Sequence, residues 1–364
     1  MEQNAQRELR SANPEWSVSE SMARIAKALV ADGPALAFGK VKSSQVPSRV
    51  SIVVATTGSS GISKEVGLSA GAILASAKAS NKYLGAEFGN TWSLLLPLTH
   101  IAAINVLARA LELGTEPIDL RNHQGEFPRA DFTAIVPTQL FKALNGDDDL
   151  LKHLRDARAV LIGGAALSSE LHLQAEAAGI NLVTTYGMTE TSGGCVYNGT
   201  PLDGVEIKIT PDKLIAIKGP VVAHTYIGAP TLWETTFHDG WFTSSDLGRI
   251  ENEKLIVEGR SDDVIISGGE NISLSEIESS LHKHFPHKSF AAFAIKDQQW
   301  GDALHVAVAG EGFPAESDVR SYLTEQFGPA GSIKGFLHLP ELPLIGIGKV
   351  DRTTLIQLAM EAPN

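Results

Sequence analysis

An apolar, β-branched run at residues 50–55 passes directly into Thr56-Thr57-Gly58-Ser59-Ser60-Gly61-Ile62-Ser63-Lys64. A run of that kind, bounded by turn formers, reads as a strand buried on both faces. Such strands need helices to cover them, and Ser69 is placed to cap a helix over residues 70–84, with Gly85 as its stop. Between strand and helix lies a loop of glycines, hydroxyls and one lysine. Glycines let backbone N–H groups approach an anion, hydroxyls add donors, and lysine adds positive charge. That chemistry suits a polyphosphate and points to ATP. The loop lacks the Gly-Lys-Ser/Thr ending of a Walker loop. On its own it also reads as a plain turn between strand and helix.

The same alternation recurs downstream. Residues 132–136, 160–162 and 182–185 are further short apolar runs, and helix-like segments separate them, one spanning about 168–179. An amphipathic helix is expected at 18–31, ending near Gly33. Strands alternating with helices imply a layered α/β core with largely parallel strands. After Gly204 the pattern changes to short segments at 205–209, 214–218 and 255–257, punctuated by Gly, Pro and Asp, which read as a small β-rich subdomain at about 200–260. It shifts again at Gly259-Arg260-Ser261-Asp262-Asp263. Beyond lies Ser273-Leu274-Ser275-Glu276, with capping-box spacing and a helix to about 285, then strands at 290–295 and 303–309 and a helix at 316–327. The expectation is an α/β protein in two parts: a large N-terminal α/β domain over 1–260, and a small, mobile α+β domain over 261–364.

The chain has 364 residues, 43% hydrophobic and 20% charged, with a formal net charge of −12. That acidity argues against nucleic acid as a bulk partner, while local loops can still hold a small anion. The single cysteine, Cys195, excludes an intrachain disulfide and fits a reducing compartment; its expected role is packing. The most apolar long stretch, residues 92–113, is broken by Pro97, His100, Arg109 and Glu112, so it is a poor membrane span. No secretory leader is evident at the N-terminus, and a cytoplasmic protein is expected. The oligomeric state stays open, a homodimer included.

Three further clusters carry chemistry. Thr185-Tyr186-Gly187-Met188-Thr189-Glu190-Thr191 follows an expected strand, where ligands of open α/β sheets bind. A hydroxyl and a carboxylate there suit phosphate and Mg²⁺; the plainer reading is a strand end with a helix cap. Gly240-Trp241-Phe242-Thr243-Ser244-Ser245-Asp246-Leu247-Gly248 offers a carboxylate for a ribose diol, with Arg260 close behind, although Asp246 alone reads as a turn residue. Near the C-terminus, Gly346-Ile347-Gly348-Lys349-Val350-Asp351-Arg352 places a lysine where it can swing into a site and neutralise developing charge; an isolated surface lysine is the default.

Taken in order, these four clusters resemble the signature motifs of the acyl-adenylate-forming superfamily, which includes acyl- and aryl-CoA ligases, adenylation domains and beetle luciferases. The resemblance covers residues 50–352. It extends to Leu96-Pro97-Leu98-Thr99-His100, similar to the acyl-site histidine motif, to Ile162-Gly163-Gly164-Ala165, similar to the adenine-lining segment, and to Ile265-Ile266-Ser267-Gly268-Gly269-Glu270-Asn271-Ile272. Ser63, Glu65 and Ala103 depart from the usual pattern, which has proline, glycine and glycine there. Within the superfamily, residues 185–205 resemble the actinobacterial o-succinylbenzoate–CoA ligases of menaquinone biosynthesis. Little chain precedes Thr56, which implies an N-terminal region trimmed as in those ligases.

The resemblance implies ATP, Mg²⁺, CoA and a small aromatic acid as partners, and it implies roles. Thr56, Thr57, Gly58, Ser59, Ser60, Gly61 and Lys64 would hold the β- and γ-phosphates. Gly163, Gly164, Ala165 and Tyr186 would enclose adenine, and Gly187 and Met188 would also bind the cofactor. Thr189 would meet the α-phosphate, Glu190 the metal, and Asp246 with Arg260 the ribose. Lys349 would bridge the attacking carboxylate and the α-phosphate. His100 and residues 187–194 would line the acyl site. Asp262 would be the hinge on which the C-terminal module turns, presenting Ser267, Gly268 and Gly269 for thioester formation. Three alternatives stay open: another aryl- or acyl-CoA ligase, a catalytically silent nucleotide-binding module, and a carrier-loading adenylation domain.

Overall fold

A computed structural model describes residues 5–57, 63–267, 269–286, 288–297, 299–310, 312–345 and 349–361, without the side chains of Thr57, Ser63 and Lys349. The chain divides into two compact units. One comprises Met1–Ser244 and Ile250–Ile256, the other Ser245–Arg249 and Val257–Asn364. The chain passes between them within the strands Trp241–Glu251 and Lys254–Arg260.

The first unit is built on two large sheets. In one, Trp92–Leu94, Phe132–Ile135, Ala159–Ile162 and Leu182–Met188 run parallel, and every residue of the first three is buried. These are the continuous apolar runs of the sequence, covered by helices on their flanks. The antiparallel strand Gly193–Tyr197 extends the sheet beyond Leu182–Met188. The other sheet is mixed: Gln6–Ser11, Ala35–Phe38 and Val50–Thr57 are parallel, and Ser63–Ser69 returns antiparallel to Val50–Thr57.

That return strand corrects the sequence reading. The segment 56–64 does not lead from a strand into a helix. It joins two strands of a hairpin in which Thr56 pairs with Lys64 and Thr57 with Ser63. Polar Lys64 and Glu65 hide the pattern, since only Val66 and Leu68 are both apolar and buried. The helix follows directly as Ala70–Tyr83, capped by Ser69, whose hydroxyl accepts from the Ala72 N–H at 3.1 Å. The apolar stretch 92–113 splits at Pro97 into the strand Trp92–Leu94 and the helix Ile101–Glu112. Among the described residues no helix is long and apolar enough to cross a membrane.

One buried turn fixes how the strands around residue 190 end. Ser192 is left-handed, with φ of 52°, and fully buried. Its carbonyl accepts from Asn105 Nδ2 at 2.6 Å and Ser76 Oγ at 3.0 Å, and its hydroxyl donates to Val221 O at 2.8 Å. Gly193 follows at φ 93°, and a Cβ there would collide with the Asn105 amide. Cys195, two residues on, is fully buried, and burial pushes its thiol up to about 12, so it packs rather than reacts.

The second unit packs the helices Leu274–His284 and Glu316–Phe327 against a sheet whose longest strands are Ser289–Asp297 and Gly301–Ala309. Ser273 caps the first helix, accepting from Glu276 N. The strands Val264–Ser267 and Glu270–Ser273 form a hairpin, with Ser267 and Gly269 at its tip. A final helix, Arg352–Glu361, escaped the sequence reading; it covers the other sheet face through Leu355, beside Phe293 and Ala307.

Replacing Gly193 by alanine should destabilise the protein by about 1–3 kcal/mol, because the new Cβ meets Asn105 in a backbone region costly for L-residues. Thermal unfolding checks this. A melting temperature equal to wild type would contradict the tightness of the turn.

Candidate active site

In the first unit the candidate residues gather at the carboxyl ends of parallel strands. Ile162 and Thr184 are register partners on adjacent strands, so Gly163 leaves the sheet beside Thr185, whose own strand runs on to Met188. Thr185 Oγ1 donates to Ile162 O at 3.1 Å, and it occupies the space a Cβ on Gly163 would need. Gly187 is held the same way, since a Cβ there would strike the carbonyl of Gly193. Gly163 thus makes room for a side-chain hydroxyl, and Gly187 lets backbone lie against backbone. Gly164 takes φ of 84° and Ala165 follows it, exposed. Tyr186 lies within 3.3 Å of Ser244 Oγ through its hydroxyl, and Ser244 donates on to Ile215 O at 3.1 Å.

Met188 ends the strand, and Thr189–Thr191 turn in a single 3-10 turn. Thr191 closes that turn: its Oγ1 accepts from Met188 N at 2.9 Å and lies 2.8 Å from Gly193 O. Thr189 is buried and Glu190 half-buried.

The strand Ser63–Ser69 packs beside this turn, and residues 223–227 lace the two together. His224 N donates to Gly67 O at 2.9 Å and Ile227 N to Glu65 O at 2.8 Å, while Ala223 N donates to Glu190 O at 2.8 Å. Tyr226 completes the connection. Its hydroxyl donates to Glu190 Oε1 at 2.8 Å, and Lys64 Nζ stands 5.0 Å from the centre of its ring. Burial, and then the charge of Glu190, push the Tyr226 phenol well up, so it remains a donor. One buried aromatic thus touches both the lysine of the hairpin and the carboxylate of the turn. Glu65 is engaged elsewhere, and its carboxylate accepts from Lys42 N and from Ser43 Oγ, both at 2.6 Å.

Among the described residues Lys64 has no carboxylate partner, and no three His, Cys, Asp or Glu converge as a ready metal cage. Glu190 keeps a second oxygen beyond the one Tyr226 engages. One carboxylate with a nearby cation suits Mg²⁺ bound jointly with substrate phosphates rather than a protein-only site. His100 begins the helix Ile101–Glu112 without a side-chain capping bond, and burial lowers its imidazole below 6.5, so it is neutral at pH 7.

In the second unit, Arg260 gathers the other candidates. Its guanidinium forks onto Asp262 at 2.7 and 2.8 Å, donates to Asp246 Oδ1 at 3.3 Å, and donates to Ser245 Oγ at 2.6 Å. The fork to Asp262, with help from Asp246, raises Arg260 further above its usual range. Asp262 lies in the single turn Ser261–Asp263. Lys349 pairs by backbone with Ile345 in a short hairpin. Gly58, Ser59, Ser60, Gly61 and Gly268, and the side chains of Thr57 and Lys349, lie outside the described residues.

Sequence reasoning missed Tyr226 and the Ser192–Asn105–Ser76 anchor. Nothing in spacing marks Tyr226 as a partner of Glu190. The available signal is general: a buried tyrosine needs a partner for its hydroxyl.

Layered α/β sheets, a hydroxyl- and glycine-lined sheet edge and a separate small unit carrying the C-terminal lysine define an adenylate-forming enzyme. Residues 3–228 match the AMP-binding enzyme family, and the chain belongs to that family. Its relatives include the "Probable 2-succinylbenzoate–CoA ligase" of Mycobacterium tuberculosis, 35% identical over 331 residues, which are 86% of this chain and 85% of that protein. Among solved structures, the fold matches o-succinylbenzoate CoA synthetase (MenE) from Bacillus subtilis in complex with the acyl-adenylate intermediate OSB-AMP, with a TM-score of 0.76 at 24% identity over 95% of this chain and 82% of that one. It also matches the same synthetase in complex with ATP and magnesium ion, with a TM-score of 0.74 at 23% identity over 94% and 83% of the two chains.

Tyr226→Phe keeps the ring under Lys64 and removes the donor to Glu190. The KM for ATP–Mg²⁺ should rise about three- to tenfold, as expected for loss of one hydrogen bond to a charged group. Steady-state kinetics over a magnesium series checks this; an unchanged KM would show that Tyr226 does not set the carboxylate.

Proposed function

We propose that this enzyme is an AMP-forming acid–CoA ligase that adenylates 2-succinylbenzoate and passes the acyl group to CoA, giving 2-succinylbenzoyl-CoA, AMP and pyrophosphate in menaquinone biosynthesis. The observation that carries the reading is the joining, through Tyr226, of Lys64 on the antiparallel edge of the mixed sheet to Glu190 in the turn that follows a parallel strand. A cation and a carboxylate that both contact one tyrosine suit the two ends of a metal-bound triphosphate. The substrate is supported by the 35% relative over most of both chains. Another aryl- or acyl-CoA ligase would share the nucleotide residues and differ in the acyl pocket. A reaction that consumes ATP and CoA belongs in the cytoplasm.

The chemistry divides in two. A free carboxylate resists nucleophiles, so its oxygen first attacks the α-phosphorus of ATP and pyrophosphate leaves. A thiol then attacks the acyl carbon, and AMP leaves. The segment 56–64 holds the β- and γ-phosphates, with Lys64 supplying charge. Gly163, Gly164, Ala165 and Tyr186 enclose adenine, and Gly187 and Met188 take part in binding the cofactor. Thr189 meets the α-phosphate. Glu190 would hold Mg²⁺, which when bound would neutralise charge on the phosphates. Asp246 takes the ribose hydroxyls, with Arg260 fixing its carboxylate. His100, neutral, lines the acyl site without adding a charge of its own. Lys349 stabilises charge where carboxylate meets phosphate, an effect commonly worth about 3–4 kcal/mol. For the second step the small unit turns at Asp262, and Ser267, Gly268 and Gly269 serve the thiol.

Lys349→Ala should therefore slow adenylation by about a hundredfold or more. Thioester formation from supplied acyl-adenylate should stay near wild type. Pyrophosphate release and thioester yield measure the two steps separately. Equal loss in both would overturn the role given to Lys349.

A further inference from the structure

Arg352 stands three residues after Lys349 and opens the last helix. Its guanidinium reaches three different elements. Nε donates to the Ala292 carbonyl at 2.9 Å, one terminal nitrogen donates to Glu278 Oε1 at 2.9 Å, and the other lies 3.4 Å from Asp263 Oδ1. The partners are themselves tied down. Glu278 Oε1 accepts from Ala292 N at 2.9 Å, and Asp263 Oδ2 accepts from Ser275 Oγ at 3.3 Å. On the other side, Asp351 caps the helix by accepting from Thr354 N and Oγ1, and Asp351 N donates to Pro343 O at 2.8 Å. The strand pair that contains Lys349 is thus closed at its base by Asp351 and bolted to the sheet by Arg352.

Asp263 is the last residue of the turn Ser261–Asp263, and its side chain is buried beneath that turn. Arg352 therefore links the turn that holds the proposed hinge to the segment that holds Lys349, all within the second unit. Burial disfavours the Glu278 carboxylate and Asp263 repels it, so the guanidinium between them offsets both. A planar fork can span two carboxylates and a carbonyl at once, whereas an ammonium has one centre and cannot.

We propose that Arg352 is a positioning residue for adenylation: with Asp263 and Glu278 it joins the end of the 261–263 turn, just beyond the proposed hinge, and the Lys349 segment into one rigid body. The lysine then arrives at a fixed height whenever the turn is set, and loses that height when the bolt is cut. This rests on the role given above to Lys349. A merely stabilising ion cluster would instead affect every activity of the unit alike.

The test uses full-length Arg352→Gln and Arg352→Lys, with Glu278→Gln as a milder variant that still breaks the cluster should the first fail to fold. Amide hydrogen exchange on the unliganded protein needs no substrate. Exchange should rise about tenfold or more, together, at residues 261–264 and 344–345 with 349–350, and not in Ser289–Asp297. With ATP, Mg²⁺ and 2-succinylbenzoate, Arg352→Gln should lower the adenylation kcat about thirtyfold, with the ATP KM and thioester formation from supplied acyl-adenylate within about threefold. Arg352→Lys should recover only part of the loss. Adding Arg352→Gln to Lys349→Ala should cost nothing more, as for two residues acting through one contact. Unchanged exchange in either segment, equal loss of both half-reactions, or additive loss in the double variant would overturn the proposal. A wild-type enzyme inactive on 2-succinylbenzoate would instead remove the substrate reading, while the exchange experiment still decides whether Arg352 joins the two segments.

Discussion

The candidate site depends on how residues 223–227 stitch the 50–69 hairpin to the turn at Glu190. Three backbone bonds and the Tyr226 hydroxyl do this. Each is modest by itself, about 1 kcal/mol for a typical hydrogen bond. Their value lies in alignment. The hairpin belongs to one sheet and the turn to another, so without the stitch Lys64 and Glu190 would ride on separate layers. Tyr226 suits this position because it is rigid, buried and kept protonated by its surroundings. A serine would reach neither partner, and an ionisable donor would change its bond with pH.

The sequence reveals the parallel sheet because its strands are buried on both faces and so read as unbroken apolar runs, as at 132–135 and 159–162. The return strand 63–69 stays hidden for the opposite reason. Lys64 and Glu65 face groups that need their charge: Lys64 the Tyr226 ring, Glu65 the amide of Lys42 and the hydroxyl of Ser43. Such partners are distant in sequence and leave no periodic trace. The motif residues were legible as chemistry, since glycine, threonine and glutamate at a strand end suit phosphate and metal. Their supports were not. Ser192 looks like one more small polar residue, and only the fold reveals the two donors on its carbonyl and the Asn105 amide beside Gly193.

The second unit repeats this lesson with charge. Arg260 and Arg352 are both drawn to acidic residues near one short turn: Arg260 to Asp246 and Asp262, Arg352 to Asp263 and Glu278. Two guanidiniums on neighbouring aspartates give the turn a more exposed ion pair and a more buried one. The Arg260–Asp262 fork is partly exposed, where an ion pair contributes little to stability and is readily remade. The Arg352 cluster is more buried, where breaking it costs more. That difference suits the hinge proposed at Asp262, with Asp263 held more firmly behind it.

The most direct test of the account offers the purified enzyme a panel of acids with ATP, Mg²⁺ and CoA, and follows AMP release together with thioester formation. The account predicts AMP and thioester in equal amounts with 2-succinylbenzoate, and at least about tenfold lower kcat/KM with simple benzoates and fatty acids, the size of discrimination a shaped pocket gives. A preference for fatty acids or plain benzoates would contradict the substrate. Failure to release AMP with any acid would contradict adenylation itself.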